Sequence, residues 1–262
     1  MARPLSQSSI EDICKQIHSS LGNPSVLVRI FACQLTPQEC QTTREKFREM
    51  YGEDLFDHFQ NKIHGETSRT FTVLSLLMLN PHERDAIVAR NAIFKKKDAV
   101  NYKALIEIYV GRKPSHFFLI QQAYQNRFRR HLDQDIMRIE PPHSYQKILM
   151  ALGASHKAHS AEASVEIGKC DAQRLFQTGE ARCGGFKIDE EFVLEILSKR
   201  SIPQLKLAFS IYKQIYGHSY TKHLKNASNG EFEDALKIVV KFLNNPPKYH
   251  AKRIASSIDH EI

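Results

Sequence analysis

The amino-acid sequence predicts an all-α protein built as an array of helical repeats. Sliding the chain by 165 positions aligns residues 47–86 with residues 212–251 without a gap, and nine of the forty positions are identical. Average residue usage would give about two or three identities by chance. Apolar residues in both segments recur at i, i+3 and i+4, which is helical spacing, and no segment shows the sustained alternation of a strand.

The identities mark turns and helix starts more than core positions. A weaker third copy lies between the two, with Tyr124 and Phe128 standing where Phe47 and Tyr51 stand in the first copy. Three copies, each about 75 to 90 residues long, account for nearly the whole chain. The nine identical pairs are Tyr51/Tyr216, Gly52/Gly217, His58/His223, Asn61/Asn226, Gly65/Gly230, Glu66/Glu231, Asn80/Asn245, Pro81/Pro246 and Ala86/Ala251.

Turn-forming residues divide each copy into about five short helices. Glycine and proline interrupt the helical periodicity, and a threonine before a proline is a typical helix start. In the first copy the interruptions fall at Gly22, Thr36–Pro37, Gly52, His64–Gly65 and Asn80–Pro81.

Composition and charge indicate a folded protein with a polyanionic partner. The chain has 42% hydrophobic residues and a formal net charge of +8, which favours anionic lipid or nucleic acid as a partner. No apolar run is long enough to span a membrane, and residues 1–9 lack the pattern of a secretory signal. We therefore expect a cytoplasmic protein.

No motif for catalysis is present. The sequence contains no phosphate-binding loop, no dinucleotide fingerprint, and no metalloprotease or serine-hydrolase motif, so an enzyme is not expected. The basic segment 127–131 would suit a polyanion such as RNA, although a helix carrying such a segment is usually a solvated face.

Three motifs recur in register and carry a resemblance to a known family. The second helix of a copy has L-[IV]-x-I at 27–30 and 105–108, with 193–196 as the matching segment. An aromatic-x3-Tyr-Gly segment closes the third helix, and His-Gly-Glu or Asn-Gly-Glu opens the last one, at 64–66 and 229–231. Over residues 10–258 the chain resembles the annexins, and most of all the plant annexins.

This resemblance implies an annexin-like superhelical array of five-helix repeats, with three complete repeats of an expected four. The expected divisions are repeat 1 at 10–80, repeat 2 at 81–155, repeat 3 at 165–245, and the start of a truncated repeat 4 at 246–262.

The resemblance also implies calcium as a cofactor and an anionic phospholipid membrane as the partner. Calcium would be held by backbone carbonyls of the loop between the first two helices of a repeat and by a carboxylate about forty residues later, an oxygen-only shell suited to this ion. In this chain the carboxylate positions hold Lys62 in repeat 1 and Ala227 in repeat 3, and lysines interrupt the loop of repeat 2. We therefore expect degraded calcium sites and name no metal ligand.

Lysines and a glycine pair at these positions are candidates for direct lipid contact. An ammonium cannot ligate a metal, but it binds phosphate. Glu66 and Glu231 are displaced ligands on one interpretation and first-turn residues favoured by the helix dipole on the other. Solvated loop lysines are the alternative to lipid-binding ones. The candidate residues are Lys62, Lys95, Lys96, Lys97, Lys187, Gly184 and Gly185.

The expected function is peripheral binding to anionic phospholipid on the cytosolic face of membranes. The alternative is a calcium-independent helical scaffold that binds cytoskeleton or another polyanion, nucleic acid being the less favoured. Because the resemblance pairs repeat 1 with a fourth repeat, we also expect repeat 1 to expose apolar surface and to mediate self-association. The residues expected to be exposed are Val26, Leu27, Ile30, Phe31, Leu74 and Leu77.

Overall fold

The computed structural model confirms the all-α prediction. It describes residues 7–62, 68–94, 100–155, 162–177, 188–226 and 230–259, and in these ranges it contains helices and no strand. The chain divides into two compact units, residues 1–84 and residues 85–262. None of the described helices is both long and apolar enough to cross a membrane.

The helices fall into three successive groups of five, and the groups have similar helix lengths in the same order. The third helix of each group has 15 residues and the second has 10, and the fourth is a short helix of 6 or 7. The first group is α1 Gln7–Ser19, α2 Pro24–Cys33, α3 Pro37–Tyr51, α4 Leu55–Asn61 and α5 Ser68–Leu77. The second is α6 Pro81–Phe94, α7 Tyr102–Gly111, α8 Pro114–Phe128, α9 Leu132–Met137 and α10 Ser144–Ser155. The third is α11 Val165–Gln177, α12 Glu190–Lys199, α13 Ile202–Tyr216, α14 Tyr220–Asn226 and α15 Glu231–Asn244, after which α16 covers Pro246–Asp259.

The predicted helix boundaries of α3 have clear local causes. Thr36 caps the helix, since its hydroxyl accepts from the backbone N–H of Glu39 and the Glu39 carboxylate accepts from the Thr36 N–H. The helix ends at Gly52, whose φ of 74° lies in the left-handed region. Gly217, the aligned residue after α13, has a φ of 71°, and Arg129 takes this place after α8 with a φ of 55°.

Repeat 1 buries most of the apolar residues that were expected to be exposed. Leu27, Ile30, Phe31 and Leu74 are all at most 3% exposed, so the expectation was wrong for these four. Helix α5 packs against α2 and α4, and the ring of Phe31 meets that of Phe59 edge-on at 5.9 Å. The first unit therefore closes its own core. Val26 and Leu77 are half-buried, and among the described residues of this unit the exposed large apolar side chains are Val28 and Val73.

The second unit has one continuous core. Helix α15 packs against α7, α10 and α13, and α10 packs against α12, so the second and third groups share their apolar faces. Two bidentate ion pairs recur in equivalent places: Arg112 after α7 holds Asp85 of α6, and Arg200 after α12 holds Asp171 of α11. Each pair ties the end of a second helix to the preceding first helix.

Candidate functional site

In repeat 1 the two loop regions of the expected calcium site lie in direct contact. Helix α1 ends at Ser19, and α2 begins after Asn23, whose side chain accepts from the Val26 N–H at 3.3 Å. Lys62 follows α4, and its Nζ donates to the backbone carbonyl of Leu21 at 3.0 Å. Lys62 is half-buried, and its hydrogen bond joins residues that are 41 positions apart.

This contact places a positive charge beside a loop carbonyl, as a bound calcium ion would. Calcium needs 6 to 8 oxygen ligands including carboxylates, whereas the Lys62 ammonium only donates hydrogen bonds. Over the parts of the chain that the structure describes, no group of three or more His, Cys, Asp or Glu side chains is arranged to hold a metal ion.

In the second unit, the starts of four helices meet at one end, which we call the loop face: Tyr102, His143, Tyr145, Lys147, Glu190 and Glu231. The Tyr102 ring stacks on Tyr145 at 4.8 Å and lies 4.8 Å from the His143 ring. His143 Nε2 lies 3.1 Å from a Glu231 carboxylate oxygen, and Lys147 pairs with Glu190 at 3.4 Å. The loop regions of the second and third groups therefore lie side by side.

The loop between α9 and α10 is held by protein donors. The Gln146 side-chain amide donates to the carbonyls of Ile136 and Ile139 at 2.8 and 2.9 Å. Glu140, in the segment where the resemblance would place an acid-x-x-Gly pattern, is exposed. Glu231 lies in the first turn of α15, after its N-cap residue Gly230, where the helix dipole favours an acid.

Of the lipid-binding residues predicted from the sequence, Lys62 lies in the part of the chain that the structure describes. The other six candidates lie outside the described residues: Lys95, Lys96, Lys97, Lys187, Gly184 and Gly185. Glu66 and Ala227, named above at the expected calcium positions, lie outside them as well.

A buried polar pair recurs in the repeats and was missed by sequence reasoning. The Tyr124 hydroxyl donates to Asp135 at 2.7 Å, and the Tyr212 hydroxyl lies 2.8 Å from His223 Nδ1. Both pairs are separated by 11 residues, and Phe47 and His58 of repeat 1 have the same separation. Because Phe47 has no hydroxyl group, it cannot form the corresponding hydrogen bond in repeat 1. An aromatic residue followed 11 positions later by a polar one was the available signal.

Asp135 also changes the interpretation of the basic segment 127–131. Its carboxylate, 1% exposed, lies 2.6 Å from Arg130 Nε and 3.0 Å from Arg90 Nη1. The Phe128 ring packs on Tyr124 at 4.9 Å. Part of the segment therefore serves the interior of repeat 2 and is not a freely solvated basic patch.

Comparison with known proteins agrees with this arrangement. The Annexin family model matches residues 171–239. Annexin A4 of Rattus norvegicus is 30% identical over 248 residues, which cover 94% of this chain and 74% of the rat protein. Annexin D3 of Arabidopsis thaliana is 29% identical, with 82% of this chain and 66% of the plant protein covered. The solved structure of annexin III superposes with a TM-score of 0.80 and 26% identity, over 97% of this chain and 77% of that one.

Groups of five helices, in which the second and third helices keep the same lengths, with paired loops at one end, define an all-helical repeat protein. The chain belongs to the annexin family. It spans about two thirds to three quarters of the length of the two relatives named above.

Proposed function

We propose that this chain is a peripheral membrane protein that binds anionic phospholipid at the cytosolic face, without needing calcium at its repeat-1 loop. Relatives in the annexin family support a calcium-dependent phospholipid-binding role in general. We propose that this chain binds the same kind of lipid surface, with lysine side chains in place of the metal ion. Its repeats would follow the divisions 10–80, 81–155 and 165–245, with a fourth beginning at 246.

The observation that carries the proposal is the hydrogen bond from Lys62 Nζ to the Leu21 carbonyl. A calcium ion and this ammonium would compete for the same carbonyl oxygen, and two cations at one place repel each other. The protein's own cation therefore supports the loop in repeat 1. One of the three ammonium protons is used for this bond, which leaves donors for a lipid phosphate.

Exposed apolar residues beside the loops of repeat 2 support the same role. Phe94, the last residue of α6, is 49% exposed and precedes three lysines, and Met137 at the end of α9 is 56% exposed. Apolar side chains next to basic ones suit the boundary between headgroups and acyl chains. Each lysine near an anionic leaflet contributes about 1 kcal/mol, so four or five would give weak adsorption that depends on salt.

Sedimentation with liposomes tests this function. We expect binding to vesicles of phosphatidylserine and phosphatidylcholine to persist in a calcium chelator. Binding should fall steeply between about 0.1 M and about 1 M NaCl, since the screening length then shrinks from about 10 Å to about 3 Å. Vesicles of phosphatidylcholine alone are the control. Binding that chelator removes and high salt leaves intact would refute the lysine mechanism.

The second candidate is a calcium-independent scaffold for a cytoskeletal partner, and we propose no catalytic role. The hydrogen bond from Lys62 to the loop carbonyl of Leu21 supports this candidate too. It removes the need for a metal ion in repeat 1 and does not require a membrane. Co-sedimentation with actin filaments in chelator, together with no binding to anionic vesicles at low salt, would favour the scaffold.

A further inference from the structure

Helices α13, α15 and α16, together with Lys103 of α7, line a lysine-rich groove in the second unit, which we call the basic groove. Its cavity measures about 840 Å³, within the range of small-ligand sites. On α15 it begins at Ile238, seven residues after Glu231 of the loop face, or about 10 Å along the helix. The lysines that line it are Lys103, Lys206, Lys213, Lys241, Lys248 and Lys252.

Among the described residues that line the groove there are seven cations and no carboxylate, although acidic residues are common elsewhere in the chain. Arg253 pairs with Glu107 at 3.3 Å. Within the described part of the chain, none of the six lysines has an acidic oxygen within 4.0 Å. Unneutralised like charges in a concave, protein-walled space raise the local positive potential and concentrate anions. Such a surplus costs stability in the absence of a ligand and is relieved when an anion binds.

Neutral hydrogen-bonding groups lie among the lysines. The Ser219 and Thr221 hydroxyls are 2.8 Å apart, and Asn245 accepts from the Lys248 N–H at 3.0 Å. Ser210 of α13 and Ser256 of α16 add a hydroxyl on each side. Hydroxyls and amides between ammonium groups suit a ligand with several phosphates and free hydroxyls on one small ring.

The aromatic residues of the basic groove argue against nucleic acid. Single-stranded nucleic acid is bound by stacking its bases on exposed rings, but Phe209 is 3% exposed and the Tyr249 hydroxyl is held by Glu107 at 2.9 Å. Six lysines against one arginine also favour phosphate bound as a point charge over planar or stacked recognition.

We propose that the basic groove binds a multiply phosphorylated inositol, either as a free inositol phosphate or as the headgroup of a phosphoinositide. Apart from Lys103, which follows Tyr102 of the loop face, the lining residues named above come from other segments than the proposed membrane contact, and this proposal does not rest on that function.

Calorimetric titration with inositol 1,4,5-trisphosphate, a ring with both phosphates and free hydroxyls, tests the basic groove directly in calcium chelator. The triple variant Lys213→Gln, Lys241→Gln and Lys248→Gln removes three exposed charges from three different helices. We expect about 100-fold weaker binding, since each lysine near a phosphate contributes about a factor of five. Unchanged circular dichroism and melting temperature would show that the variant is folded.

The matched control removes three exposed lysines elsewhere: Lys113→Gln, Lys169→Gln and Lys199→Gln. It has the same net charge as the test variant and should bind like the parent. Equal losses in both variants would show unspecific charge attraction and overturn the proposal, as would a single-stranded RNA that displaces the inositol phosphate at lower concentration.

Vesicles containing phosphatidylinositol bisphosphate distinguish the two sources of the ligand. Binding of these vesicles that the groove variant loses and the control keeps supports the lipid headgroup. Binding of the free inositol phosphate alone, with the same dependence on the variants, supports the soluble ligand. Failure of vesicles to bind through the loops would leave the titration interpretable, because the titration contains no membrane.

Discussion

Replacing Asp135 by asparagine is expected to lower the free energy of unfolding by about 2 kcal/mol, because it removes the buried carboxylate that accepts charge-assisted hydrogen bonds from two partly exposed arginines. Arg90 and Arg130 both contact this carboxylate, and the Tyr124 hydroxyl donates to it. Asparagine keeps the shape of the side chain, so the loss would come from charge and hydrogen bonding. Urea unfolding should show a lower midpoint with an unchanged slope.

Asp133→Asn is the matched control, two residues away on the same helix. Asp133 accepts from the Tyr109 hydroxyl at 2.8 Å and from Gln121 at 3.0 Å, both neutral donors. An asparagine oxygen can still accept one of these bonds, so we expect a loss of about 1 kcal/mol. Equal losses for the two variants would contradict the role assigned to the arginines.

The protein should lose stability as the pH falls from about 6.5 to about 4 because of His223. This side chain is 5% exposed, and burial, with His218 nearby, lowers the pKa of its imidazole to about 4. The unfolded chain, with a pKa of about 6.5, takes up the proton first, so acid favours unfolding by roughly 2 to 3 kcal/mol at pH 4. The stability from neutral His223 is complete above pH 6.5.

Chemical unfolding of the parent and of His223→Gln at several pH values checks this. The parent should show an additional loss of stability over that range, and His223→Gln should lack it. His131→Gln, an exposed residue that makes no side-chain cap, should behave as the parent. A pH dependence that survives in His223→Gln would assign the effect to other groups.

The fold was predictable because its signals are local. Thr36 with Glu39, and Gly52 with its aligned Gly217, set helix starts and ends within a few residues of chain, and the repeat supplied the same information more than once. A helix boundary needs no knowledge of tertiary contacts.

The site was less predictable because its contacts join distant segments. The Lys62 to Leu21 bond spans 41 residues, and only the family resemblance placed those two positions near each other. Sequence reasoning treated residues 127–131 as one basic segment, since a run of charges does not show that Arg130 pairs with the buried Asp135.

The basic groove could not be predicted from the sequence. Its lysines come from four helices between residues 103 and 252, so no local run of charge marks it. Repeat 1 was misjudged for a related reason, since periodicity identifies an apolar face without showing which neighbour covers it. There the cover is supplied by helices of the same repeat.

The substitution of calcium by the Lys62 ammonium is tested most directly by thermal and chemical unfolding of Lys62→Glu with and without calcium. Glutamate restores a carboxylate at the expected ligand position. With a dissociation constant of about 1 mM, typical of weak modules, about 10 mM calcium would stabilise this variant by about 1.4 kcal/mol. The parent chain and Lys62→Gln, which has no carboxylate, should show no stabilisation through this loop. If calcium stabilised the parent chain, Lys62→Gln and Lys62→Glu by equal amounts, the result would contradict the claim that the Lys62 ammonium takes the place of calcium in this loop.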